Sequence, residues 1–194
     1  MTAADRPPIV VLLGGPSAEH DVSIVSGSAV ADALADGGHR ISRVLIDLAG
    51  RWWWLPKAHR RDTRSPADYD DPAALDAEGP LDIGAAIDRL ASSDPAPLVF
   101  IALHGPFGED GTVQAVLEAA GLAYTGSGVA ASALGMDKAL FKRLTRGLGL
   151  PVVDWREVRA ARWSAEPAAV IAELEAFAIG TGDPRLMVKP ARLG

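Results

Sequence analysis

Four short stretches of this sequence gather residue types that could do chemistry. The first, Gly14-Gly15-Pro16-Ser17-Ala18-Glu19-His20-Asp21, sets two carboxylates and a histidine behind a pair of glycines. It satisfies neither glycine-rich nucleotide pattern, and no lysine follows. Glu19 and Asp21 would repel phosphate and suit a cation such as a substrate ammonium, although Ser17, Glu19 and Asp21 could equally cap a helix. The second stretch runs from His104 to Gln114 (HGPFGEDGTVQ) and holds three closely spaced glycines that let backbone approach a ligand. His104 is either a ligand-facing group there or a satisfied structural histidine. Glu109 and Asp110 sit where acidic residues favour a helix start in any case. The third stretch, YTGSGVAASALGMDKALFKRL, puts Lys138 and Lys142 one turn apart on a helix. In the fourth, LMVKPARLG, Lys189 ends a β-rich run, where a lysine can hold phosphate oxygens as a point charge. Either lysine alone would ordinarily be solvated surface.

Alternating strands and helices must position these groups. Ile9 to Leu13 (IVVLL) reads as a buried strand ended by the glycine pair. Ser17 to Leu34 reads as a helix, with Val22, Val25, Ala29, Val30, Ala33 and Leu34 at helical spacing and Gly37-Gly38 as its stop. Ile41 to Leu48 is the next strand, with Arg43 and Asp47 as charged exceptions. Trp52-Trp53-Trp54 reads as a hairpin strand with alternate rings buried, in preference to a stacking platform. Pro56 to Pro80 is polar and proline-rich and reads as a loop excursion. Ile83 to Leu90 is helical, the Asp94-Pro95-Ala96-Pro97 breaker follows, and Leu98 to Leu103 is the clearest buried strand. Helices are predicted at Thr112 to Ala120, Asp137 to Leu148 and Glu166 to Ala178, and a strand at Arg185 to Val188. This order predicts an α/β domain with a mainly parallel sheet over residues 1–136. Ligands of such sheets bind beyond the carboxyl ends of the strands, where the first two clusters fall.

Composition narrows the partners. The 194 residues are 48% hydrophobic and 23% charged, with a net charge of -6. No clustered basic surface is present for nucleic acid or anionic membrane. There are no cysteines, so disulfides, thiolate metal sites and cysteine nucleophiles are all excluded. Neither a signal peptide nor an apolar run long enough to span a bilayer is evident, and a cytoplasmic protein is expected.

Together the four stretches resemble the D-alanine–D-alanine ligase family. LLGGPSAEHDVSIVSG looks like its opening loop and helix, and HGPFGEDGTVQA meets every fixed position of its H-G-x-x-G-E-D-G signature. YTGSGVAASALGMDK and LMVKPARLG look like the entry to its ATP-grasp region and the lysine strand with its phosphate loop. The resemblance implies a Rossmann-like substrate domain over 1–136 and the beginning of an ATP-grasp domain over 137–194. It implies ATP-dependent joining of two D-alanines through an acylphosphate, for peptidoglycan synthesis, with ATP and Mg²⁺ as cofactors. Glu19 would then hold the first D-alanine's ammonium, Val22 would be its apolar neighbour, and His104 would stand near the carboxylate that becomes the acylphosphate. Lys138 and Lys189 would contact ATP phosphates. A homodimer is expected on the same ground. Departures are Ala191 and Leu193 where Ser and Glu are usual, and His20 where Arg is common.

The family continues beyond the point matching Gly194 with its magnesium ligands, adenine pocket and second-substrate site. No metal ligand is therefore assigned within this chain, and the 194 residues alone are expected to lack ligase activity. Two other readings stay open: a ligase with D-lactate or D-serine as acceptor, and a noncatalytic dimerisation or substrate-binding module. Acceptor-choosing residues would lie mostly beyond Gly194, whereas calorimetry with D-alanine would separate a binding module from pure association.

Overall fold

A computed structural model describes residues 6–60, 64–182 and 185–192. The chain divides into one unit built on the residues up to Met136 and a second spanning Asp137–Ala191.

In the first unit, Ile9–Gly14 forms the interior strand β1, buried along its whole length. A β-branched and aliphatic run without alternation can be satisfied only by cover on both faces, as a parallel strand is. Helix α1 (His20–Asp36) follows, then β2 (Ile41–Ile46), which pairs parallel to β1 from Ile9↔Ile41 to Gly14↔Ile46. Gly37 and Gly38 close α1, with both N–H groups returned to carbonyls of its last turn. β3 (Trp52–Trp54) turns back antiparallel to β2, and β4 (Glu78–Leu81) adds antiparallel to β3. Helix α2 (Ile83–Ala91) leads to β5 (Leu98–Ile101), parallel on the other side of β1. Helices α3 (Thr112–Ala119) and α4 (Val129–Met136) complete the unit. The sheet order is β4-β3-β2-β1-β5, an α/β fold with a parallel core and an antiparallel flank.

Each face of the sheet carries its own core. On one, Leu12, Val44, Ile46, Trp52 and Val99 meet Ile87 and Leu90 of α2 and Val113 and Leu117 of α3. On the other, Val11, Leu13 and Leu45 meet Ile24 and Ala31 of α1. The tryptophans alternate across the sheet: Trp52 and Trp54 side with α2, and Trp53 with α1. Trp54 lies under the Arg89 guanidinium at 4.3 Å, and Arg89 also grips Glu78 with both fork nitrogens.

The two charged exceptions of β2 are explained by their partners. Buried Arg43 reaches Asp32 on α1 at 2.6 Å. Burial alone would push the Asp47 carboxyl up, but it accepts from the Arg51 backbone, the Trp53 indole and the Arg51 guanidinium, and these hold it below the ordinary aspartate value.

Three expectations need correction. The stripe Val22, Val25, Ala29 marks the outer face of α1, because the buried face is Ser23, Ile24, Gly27, Ser28 and Ala31. Close approach to the sheet selects small residues there: a Cβ on Gly27 would sit 2.7 Å from that of Leu13. The 56–80 excursion is not all loop. It holds two 3-10 turns, Pro66–Tyr69 and Pro72–Leu75, and enters β4, an edge strand where a proline is tolerated.

The third correction concerns the second unit, whose helices are α5 (Lys138–Gly147), α6 (Ala160–Ala165) and α7 (Pro167–Thr181). Arg185–Val188 forms no strand, since among the described residues this unit offers none to pair with. Trp155 is packed beneath Arg146 and Lys142, at 4.3 and 5.5 Å, and Arg143 grips Glu157 with two nitrogens. Leu193 and Gly194 of the proposed phosphate turn lie outside the described residues.

Candidate functional site

The chain leaves β1 toward β2 in one direction, while β5 lies on the opposite side of β1. The strand order therefore reverses between β1 and β5, and in open α/β sheets ligands bind beyond the carboxyl ends of the strands at such a point. The Gly14–Asp21 loop follows β1, and the His104–Gly111 loop follows β5.

These two loops are tied directly. Ser17 Oγ donates to the His104 carbonyl at 2.8 Å and accepts from the Glu19 N–H at 3.2 Å. Gly105 lies hard against Glu19: a Cβ there would sit 2.8 Å from Glu19 Oε2 and 3.3 Å from Ser17 Oγ, and φ is +74°. Only glycine meets both conditions without strain. Thus Glu19 and the residue after His104 are packed together at the switch point. Glu19 stands at the N-cap of α1 without a side-chain capping bond, whereas Asp21 lies in the first turn, where an acidic group is favoured in any case. His20 is buried, its Nδ1 2.7 Å from the Gly15 carbonyl, so it supports the loop from below.

Glu19 Oε2 is buried and accepts no hydrogen bond. A carboxylate oxygen removed from water without a donor is costly, and a cationic donor is the partner that best offsets it. Val22, in the first turn of α1, is 55% exposed and so available to a ligand.

His104 is half-buried, and each of its ring nitrogens faces an oxygen. Nε2 lies 3.0 Å from Ser26 Oγ of α1, and Nδ1 lies 3.7 Å from Glu109 Oε1. The second pair is ionic only when the ring carries both protons. Glu109 Oε2 meanwhile accepts from the Gly105 N–H at 2.7 Å. Asp110 accepts from Phe107 and Thr112; burial alone would raise its carboxyl, but these bonds hold it below the ordinary value. Buried Gln114 donates to the Gly108 carbonyl at 2.8 Å. A Cβ on Gly108 would overlap that of Leu103. The acidic and glycine residues of this stretch thus shape the loop that carries His104.

Lys138 and Lys189 belong to the second unit. The Lys138 N–H donates to the Ala191 carbonyl at 2.9 Å, which sets the start of α5 beside the segment that follows Lys189. Sequence reasoning missed Ser26 altogether and read Ser17 and Glu109 only as helix-start residues. Ser26 was findable, because Glu19, Val22 and Ser26 recur at helical spacing on one face of α1.

No group of three His, Asp or Glu residues that could hold a metal ion occurs among the described residues. Among the described residues, no helix is long and apolar enough to cross a membrane.

The geometry defines a class: an α/β domain with a parallel core whose two polar loops, after β1 and β5, are packed together where its strand order reverses. Comparison with known proteins gives the family. A sequence model described as D-ala D-ala ligase N-terminus matches residues 8–127, so the chain belongs to the D-alanine–D-alanine ligase family, in its N-terminal portion. The D-alanine–D-alanine ligase of Kineococcus radiotolerans is 40% identical over 205 positions, covering 100% of this chain and 53% of the relative. That of Deinococcus radiodurans is 37% identical over 186 positions, covering 96% and 50%. The solved D-alanine–D-alanine ligase of Coxiella burnetii superimposes with a TM-score of 0.61 at 29% identity, covering 89% of this chain and 49% of that one. The VanG D-Ala:D-Ser ligase of Enterococcus faecalis superimposes with a TM-score of 0.66 at 26% identity, covering 98% and 53%. The chain spans about half the length of the curated relatives it matches.

Proposed function

We propose that this chain forms the first-substrate half of an ATP-dependent ligase that joins two D-alanines for cell-wall synthesis. The observation that carries the reading is the buried, unpartnered Glu19 Oε2 at the strand-order switch, beside the loop that bears His104. A substrate ammonium supplies the missing donor and charge, and Val22 offers an apolar wall for its methyl group. His104, on the neighbouring loop, faces the carboxylate of the same D-alanine.

The reaction that fits has two steps. A carboxylate oxygen of the first D-alanine attacks the γ-phosphorus of ATP, and ADP leaves with the electrons of the broken P–O bond. The amine of the second D-alanine then attacks the acyl carbon, inorganic phosphate departs, and the amine gives up a proton. Negative oxygens converge in both steps, so cations and aimed donors matter more than covalent catalysis by the protein. Lys138 and Lys189 are proposed as phosphate contacts, Asp137 as the opening of an ATP-grasp domain, and a homodimer in the cytoplasm as the working form. Mg²⁺ would neutralise phosphate charge, but no step is routed through it because the described residues hold no cluster for it.

The fold of this half does not choose the acceptor, since the D-Ala:D-Ser ligase superimposes at least as well as the D-alanine enzymes do. The decisive test is a chimera in which this chain replaces the matching half of the Kineococcus radiotolerans ligase. ATP-dependent formation of D-alanyl-D-alanine, abolished by Glu19→Gln, is expected. A folded chimera that binds ATP but forms no dipeptide would reject the proposal.

A further inference from the structure

We propose that Ser26 is a positioning residue that fixes which nitrogen of His104 carries the proton. The inference deepens the ligase reading and rests on it for its catalytic consequence, but its structural core does not need it.

The assignment follows from counting protons. A serine hydroxyl has a single hydrogen to give and two lone pairs with which to accept. Ser26 sits within α1, and its Oγ lies 2.9 Å from the Val22 carbonyl one turn back, with the Ser23 carbonyl farther off at 3.4 Å. We place the hydroxyl hydrogen on the Val22 carbonyl, the nearer acceptor and the usual one for a serine within a helix. What Ser26 has left for His104 Nε2, 3.0 Å away, is a lone pair. With that hydrogen on the backbone, Nε2 is the protonated nitrogen and donates to Ser26. The opposite arrangement, Ser26 donating to Nε2 with Nδ1–H toward Glu109, is the one the tautomer measurement would reveal if the proposal is wrong. In the neutral ring the free lone pair is then on Nδ1, on the side of Glu109. The helix fixes Ser26, and the Ser17 bond to the His104 carbonyl fixes the backbone of the histidine. The ring is held at both ends, and its plane and tautomer are set before any substrate arrives.

This gives Ser26 a role distinct from the structural serines of the same helix. Ser23 is buried and donates to the Ala102 carbonyl, which serves packing of α1 on the sheet. Ser26 is only half-buried, and among the described residues its side-chain partner is the ring of His104.

Two readouts separate the claims. Long-range ¹H–¹⁵N correlation of the histidine rings in this chain, recorded well above the ordinary imidazole value of about 6.5, reads the tautomer directly. The expected result is a protonated Nε2 for His104, a mixture of tautomers in Ser26→Ala, and restoration in Ser26→Thr. A wild-type ring protonated on Nδ1, or an unchanged spectrum in Ser26→Ala, would overturn the proposal whatever the fate of the ligase reading. In the Kineococcus chimera, Ser26→Ala is expected to lower kcat about three- to tenfold, the size of one neutral hydrogen bond, with Thr restoring it and KM for ATP unmoved. An inactive parent chimera would count against the ligase reading and leave the tautomer result standing. An active one in which Ser26→Ala turns over at the parent rate would remove the catalytic part of the proposal.

Discussion

Replacing Gly105 by alanine perturbs the site in two ways that can be measured apart. The first is conformational. Gly105 has φ of +74°, and an L side chain in that region costs about 1–2 kcal/mol. The second is steric. The new Cβ would sit 2.8 Å from Glu19 Oε2, and the carboxylate, being the far end of a flexible side chain, would swing aside at little energetic cost. Stability should therefore report the backbone and site chemistry should report the clash. Gly121→Ala is the matched control, because Gly121 has φ of +69° and nothing lies within 4 Å of its added Cβ. Urea unfolding of both variants is expected to show similar losses of about 1–2 kcal/mol. In a D-alanine titration followed by NMR, Gly121→Ala should match the parent. Gly105→Ala should bind about ten- to a hundredfold more weakly, the loss of a charged hydrogen bond of roughly 1.5–3 kcal/mol. Equal D-alanine affinity in the two variants would refute the reasoning, since Glu19 would then be either unmoved or unused.

Other consequences follow from the packing and charge of the first unit. Asp32→Ala strands the buried Arg43 guanidinium, and calorimetry or urea unfolding should show a loss of about 3 kcal/mol or more, an effect that Arg43→Met in the same background should partly recover. Gly108→Ala forces a Cβ into that of Leu103 and should cost roughly 1–3 kcal/mol while broadening the amide signals of the His104 loop. Asp47 is held below the ordinary value of 3.8, so its contribution is present above that value and disappears as pH falls through the folded-state titration. Asp47→Asn should accordingly be less stable at neutral pH by roughly 1–3 kcal/mol and lose less than the parent on acidification below about pH 4.

How far the sequence spoke depended on whether a signal was local. β1 was legible because an unbroken aliphatic run closed by Gly14-Gly15 has one good solution, a buried parallel strand with its polar cluster at the carboxyl end. β5 is parallel as expected, but it ends at Ile101, stands last in the strand order and buries only Val99 fully, so the reading of Leu98 to Leu103 as the clearest buried strand was too strong. The register that brings β5 beside β1 is not written in either segment, and it alone joins Glu19 to the His104 loop. The buried face of α1 was hidden because helix and sheet approach closely enough to demand Gly27, Ser28 and Ala31, which read as neutral beside the valines of the outer face. Strand β4 was masked by Pro80 and Gly79, residues that an edge strand accepts and a central one does not. Arg185–Val188 showed the opposite failure. Its aliphatic pattern suits a strand, but a strand exists only with a partner. Ser26 carried no mark except its spacing from Glu19 and Val22.

The central claim is that an unpartnered carboxylate oxygen of Glu19 waits for an ammonium at the strand-order switch. It is tested most directly by titrating the ¹⁵N-labelled chain with D-alanine and, separately, with N-acetyl-D-alanine, which keeps the carboxylate and methyl group but loses the positive charge. The account expects D-alanine to move the amide signals of Ser17–Val22 and Gly105, N-acetyl-D-alanine to leave them in place, and Glu19→Gln to abolish the response. Equal shifts with both compounds, or a full response in Glu19→Gln, would contradict it.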